Sequence, residues 1–96
     1  MAGHTGILNK MIGNIIEVNP STTNLDDIES GLYCWQNEAP TNGNNIAHAV
    51  LLCCRIIRNN DYLIYQLMLA NRSAGNGIFY RTKGADRVWS GWGTVK

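Results

Sequence analysis

Two histidines and three cysteines are the residues of this 96-residue chain whose types permit nucleophilic or metal chemistry: His4, His48, Cys34, Cys53 and Cys54. A thiol catalyst needs a base within hydrogen-bond reach and a third group to orient that base. Cys34 or Cys53 with His48 supplies a nucleophile and a base, but no glycine elbow, flanking motif or orienting residue accompanies them. Cys53 and Cys54 are adjacent, so on a strand they point to opposite faces and do not share one metal. Residues 34, 48, 53 and 54 lack the clustered spacing of a zinc site. An odd number of cysteines does not build a disulfide framework; the three read as free thiols packed as small hydrophobes, in a protein made in a reducing cytosol. Gly75-Asn76-Gly77 is too short for a phosphate loop and precedes a strand. Asp26 and Asp27 are neighbouring carboxylates, yet they follow a helix-capping Asn24 and read as partners of a helix dipole rather than as catalytic acids. The expectation is a non-enzyme with no metal and no cofactor.

Recognition chemistry falls to the aromatic residues. Tyr33 and Trp35 share one face of a strand, Tyr80 and Arg81 stand near the end of another, and Trp89 and Trp92 bracket Ser90-Gly91. A ring face packs on the C–H surface of a sugar, and a guanidinium beside it makes paired hydrogen bonds to hydroxyls or anionic groups. The candidate ligand contacts are Trp35, Arg81, Arg87, Trp89 and Trp92. The bland alternative is that the tryptophans fill the core of a domain with few large residues; the glycine-rich surroundings of Trp92 make it the more exposed. Stacked rings also serve single-stranded nucleic acid, but that surface adds a basic groove. A net charge of +1 gives no field for nucleic acid or membrane.

These residues must be positioned by a single domain at most, with a thin core at this length. No signal peptide and no long apolar run is apparent, which argues against secretion and membrane spanning. Charge is split: the first 48 residues hold one lysine against five carboxylates, and the rest hold seven cations against two. That asymmetry suits self-association as well as an anionic ligand. Met1-Ala2-Gly3 reads as derived from expression and is set aside.

From Ile7 to Val18 the chain is apolar, with Gly13-Asn14 as either a hairpin turn or a bulge. The spacing of Leu8, Met11, Ile12, Ile15 and Ile16 also fits a helix, but Gly13, Asn14 and the isoleucine pairs favour extended structure. Apolar residues on both faces need cover that a neighbouring subunit supplies, so Ile7, Met11, Ile12, Ile15 and Ile16 are expected at a subunit interface. Residues 19–23 form a loop, Asn24–Ser30 a helix of one or two turns ended by Gly31, and 31–36 a strand. Residues 47–70 read as a β-hairpin turning at 59–61, whose first strand, near-continuously apolar, is expected to be buried on both faces. Strands at 77–82 and 88–95 close the domain. The expected fold is mainly β, a small α+β domain. An antiparallel sheet of four or five strands carries one short helix near 24–30, after an extended N-terminal segment over residues 1–23.

Asn24-Leu25-Asp26-Asp27-Ile28, Gly31-Leu32-Tyr33, Ala39-Pro40, an apolar strand, Gln66, Tyr80-Arg81 and Trp89-Ser90-Gly91-Trp92 follow one another in an order that resembles the knob domains of phage tail fibres and R-type pyocin fibres. The resemblance covers roughly residues 24–95. It implies a β-rich unit of a homotrimeric fibre in the virion, made in the host bacterial cytoplasm and carried near the tip that meets the bacterial surface. A bacterial surface glycan or lipopolysaccharide is then the expected ligand. It implies no catalysis and no cofactor. Gly31, Tyr33, Pro40, Gln66, Arg81, Trp89 and Trp92 occupy pattern positions and are expected to form the frame, with variable loops choosing the receptor. Residues 1–23 would be shaft-like and 24–96 knob-like. A monomeric carbohydrate-binding module is the alternative, and a trimerisation or registration unit without receptor contact is a third.

Overall fold

The computed structural model of the chain describes residues 14–59, 61–71 and 77–95. Those residues form one sheet of six strands laid down in sequence order: β1 (Ile15–Glu17), β2 (Gly31–Trp35), β3 (Ala49–Arg58), β4 (Asp61–Ala70), β5 (Gly77–Lys83) and β6 (Gly93–Val95). All neighbours are antiparallel except β1 and β2, which run parallel with Ile15 opposite Leu32. A parallel pair needs a crossover, and here residues 18–30 make it across one face of the sheet.

β3 and β4 form the expected hairpin, paired from Ala49–Ala70 to Arg58–Asp61. Asn59, at φ 55, opens the two-residue connection; a left-handed residue there matches the twist of the two strands. Side chains alternate along every strand. One face carries Tyr33, Trp35, Leu51, Cys53, Ile64 and Met68, all buried, and Leu25 and Ile46 from the crossing loops close over them. Val18, Ile28, Trp89 and Trp92 pack around that core.

The sheet has six strands where four or five were expected, and its β1–β2 pair is parallel in a sheet expected to be antiparallel. Three further expectations are corrected. First, among the described residues there is no helix, and Asn24–Ser30 is a folded loop. Asn24 caps locally, accepting the Asp26 N–H at 2.9 Å, and one turn forms with Asp27 N–H on the Asn24 carbonyl. The next carbonyls are then taken by side chains of the sheet, as detailed below, so no i→i−4 ladder propagates. Second, β3 is apolar on both faces but covered on one: Leu51 is fully buried while Leu52 is 50% exposed. Third, the closing strand is only Gly93–Val95; before it, Trp89 bridges Lys83, and the Ser90 N–H meets the Thr82 carbonyl at 2.7 Å. Of the expected interface residues, Ile15 and Ile16 lie in β1, half-buried and exposed respectively, whereas Ile7, Met11 and Ile12 lie outside the described residues. No helix among the described residues is long and apolar enough to cross a membrane.

Cys53 is 2% exposed, and burial pushes its thiol above the ordinary value. A protonated, enclosed thiol is a poor nucleophile. Native protein treated with iodoacetamide should therefore retain an unmodified Cys53 by mass spectrometry, with labelling only after denaturation.

Candidate recognition site

Three long polar side chains stand on the covered face of three successive strands: Arg55 on β3, Gln66 on β4 and Arg81 on β5. The Arg55 Nε donates to the Ile28 carbonyl at 2.6 Å, and its Nη2 donates to the Asp26 carbonyl at 2.9 Å. Gln66 donates through Nε2 to the Leu25 carbonyl at 2.6 Å and accepts from Arg81 Nε at 2.8 Å. Arg81 reaches on to Asp26, its Nη2 lying 2.8 Å from Oδ1. That last contact is a close charge pair without an aligned N–H, because neither atom meets hydrogen-bond geometry with a partner among the described residues. Gln66 and Arg81 are 2% and 4% exposed. Burial pulls the Arg81 guanidinium below its usual value and the Asp26 carboxylate acts the other way; arginine stays charged at neutral pH regardless.

Both terminal tryptophans close over that guanidinium. Its carbon lies 3.8 Å from the Trp89 ring centroid and 5.0 Å from that of Trp92, within the range of cation–π attraction. Trp92 Nε1 donates to the Asn42 carbonyl at 3.0 Å, which ties the closing segment to the loop over residues 37–48. That loop is held in turn by Asn24, whose Oδ1 also accepts from Asn42 Nδ2 at 2.8 Å. Asn42, Asn44 and Asn45 have φ near 60°, a left-handed conformation that asparagine tolerates better than most residues. Gly43 sits between them because a Cβ there would come within 2.8 Å of Pro40. An open groove of about 560 Å3 results, lined by Trp89, Trp92, Asn42, Asn44, Asn45 and Asp26 among others.

The five ligand candidates are therefore divided. Trp89 and Trp92 line the groove, half-buried. Arg81 reaches it only as floor, its donors turned inward to Gln66 and Asp26. Trp35 belongs to the core, 3% exposed, with Nε1 donating to the Ile46 carbonyl at 2.8 Å. Arg87 stands apart on the turn after β5, where Nε pairs with Asp61 at 2.7 Å. The asparagines were missed as a group; their signal in the sequence is the clustering Asn42-Gly43-Asn44-Asn45, three amides with left-handed tolerance around a glycine.

Cys34 and His48 do line one shallow groove with Glu17 on the opposite layer. There the His48 Nδ1 accepts the Asn37 N–H at 3.0 Å, which in a neutral ring leaves the proton on Nε2. The Cys34 thiol is pushed up by burial and by Glu17, the reverse of activation. No three His, Cys, Asp or Glu side chains among the described residues come together as a metal set.

Comparison with protein-family models, with curated proteins and with solved structures finds no match for this chain.

Three stability comparisons check that geometry. Gln66→Leu keeps the volume but strands the Leu25 carbonyl and the Arg81 Nε, and should cost about 2–4 kcal/mol in urea denaturation; Arg81→Lys, which lacks the planar fork, should cost a similar ~2–4 kcal/mol. Arg87 holds φ 64 without being Asn or Gly, so Arg87→Gly should be more stable than Arg87→Ala by about 1 kcal/mol.

Proposed function

We propose that this chain is a knob domain of a phage or phage-like tail fibre, a homotrimeric structural unit of the virion that attaches to host bacteria by binding a surface polysaccharide. One observation supports the reading above others. Residues of the ordered pattern that are spread from Asn24 to Trp92 converge on a single layer: Asn24 and Asp26 on the crossing loop, Gln66 and Arg81 on the sheet, Trp89 and Trp92 above them. They act as a frame, and the frame presents a groove edged by loop residues, the division of labour expected of a receptor-binding tip.

The groove also narrows the ligand class. Arg81 is paired with Asp26 and covered by two rings, so it offers no free cation to an anionic group. The available chemistry is indole faces and primary amides, which fit the C–H surfaces and hydroxyls of neutral sugar residues. A monomeric carbohydrate-binding module would use the same groove, and the third reading, a registration unit without receptor contact, would leave it empty.

The test is binding of fluorescent protein to bacterial cells and to their purified polysaccharides. Asn44→Gly and Asn45→Gly remove the amides while keeping the left-handed backbone. Each should weaken glycan binding about tenfold, one hydrogen-bonded contact's worth, with little change in the melting temperature. Trp92→Ala should lose binding and stability together. Wild-type protein that binds none of the cell surfaces or polysaccharides tested would overturn the receptor-binding part of the proposal.

A further inference from the structure

We infer that the uncovered face of the six-stranded sheet is the contact between copies of this chain; the inference rests on the homotrimer reading above and fixes where that contact lies. The face is built by register. One row across the strands carries Leu52, Leu67 and Tyr80 as cross-strand neighbours, and the next carries Leu69, Ile78 and Val95. Each of these six is between 39% and 50% exposed. The Tyr80 ring lies over Gly93, where an added Cβ would come within 2.7 Å of it, so the row stays flat at the β6 edge.

Size and charge decide the occupant. Six strands about 4.8 Å apart make the face roughly 24 Å wide, and four rows at a two-residue repeat make it roughly 20 Å long. The flat footprint is on the order of 500 Å2 before side-chain relief, at the top of what monomers expose and approaching the ~800 Å2 per partner of a stable interface. Among the described residues, charge on this face is confined by register to its margins, Glu17 at the β1 edge and Asp61 at the hairpin tip. Such a surface has few polar groups to satisfy the hydroxyls of a sugar and no charge pattern to select a different protein. It meets its own copy without placing like charges together at the centre. The crossing loops cover one face and a second copy covers the other, which accounts for strands that are apolar on both. Ile15, in the same row as Leu32, extends the contact at its edge.

Light scattering behind a sizing column, over a range of concentrations, tests this on the full chain. Wild type should elute at a multiple of the chain mass. Leu52→Glu and Leu67→Glu place carboxylates at the centre of the contact and should weaken association by at least about a hundredfold, giving folded monomers whose Cys53 remains protected from iodoacetamide. Ile57→Glu, on the same hairpin but the opposite face and 72% exposed, should leave the assembly intact. Cys54, exposed on the proposed contact face, should be shielded in the assembly and alkylated in the monomeric variants. An assembly that survives both Leu52→Glu and Leu67→Glu, or whose Cys54 reacts freely, places the contact elsewhere and overturns the inference while leaving the fibre reading standing. A wild type that is monomeric throughout overturns both the inference and the homotrimer; glycan binding by that monomer would then favour the carbohydrate-binding module.

Discussion

A guanidinium taken out of water must be given back its partners, and in this domain the Arg81 charge sets the terms for everything around it. Gln66 orients it from the neighbouring strand, Asp26 balances it from the crossing loop, and Trp89 and Trp92 exclude solvent from above. Gln66 is the hinge of the arrangement because it faces both ways, accepting from Arg81 and donating to the Leu25 carbonyl. Buried polar networks are strong only when complete. Removing one member therefore strands groups on the sheet, the loop and the closing segment at once.

The network also explains why a chain with a thin apolar core holds together. Helix formation at Asn24 would have used the Leu25, Asp26 and Ile28 carbonyls internally. Instead Gln66 and Arg55 take them, and a segment that could have stood off as a short, marginal helix is fastened along its backbone to two strands, β3 and β4. With one layer secured by polar contacts, the apolar content of the strands is freed to serve the other layer. The result is a sheet with two different faces, one closed by the chain's own loops and one presenting a flat field of leucine, isoleucine and tyrosine.

Much of the strand layout was legible in the residues. The hairpin from residue 47 to 70 announced itself through its apolar run and an Asn-rich turn, and the shared face of Tyr33 and Trp35 followed from the period of a strand. The helix was not, because Asn24-Leu25-Asp26-Asp27 satisfies every local rule for a cap and dipole; the donors that compete for its carbonyls lie 27 to 41 positions away. Burial of β3 on both faces failed for a related reason. A continuous apolar run states that both faces are apolar, but it does not state which of them the chain's own loops reach. In the site, Trp89 and Trp92 were identifiable by their separation around a glycine. Arg81 was identifiable as important but not as inward-facing, since its counter-charge was read as a helix-dipole partner. Trp35 could not be told from a ligand platform without knowing that Ile46 would lie over it.

The loop that lines the groove with the tryptophans is shaped by main-chain conformation more than by packing. Asn42, Asn44 and Asn45 share one left-handed geometry, and Gly43 between them is hemmed in by Pro40. The residues that accept such geometry at low strain are few: glycine, asparagine and aspartate above all. Drift at these three positions is thereby confined to a small polar alphabet. The rim can change its hydrogen-bonding display, or acquire a negative charge, without disturbing the frame, but it cannot readily become aliphatic or β-branched. A lineage carrying this loop could vary the polar groups along it and would have to rebuild its backbone to carry aliphatic ones.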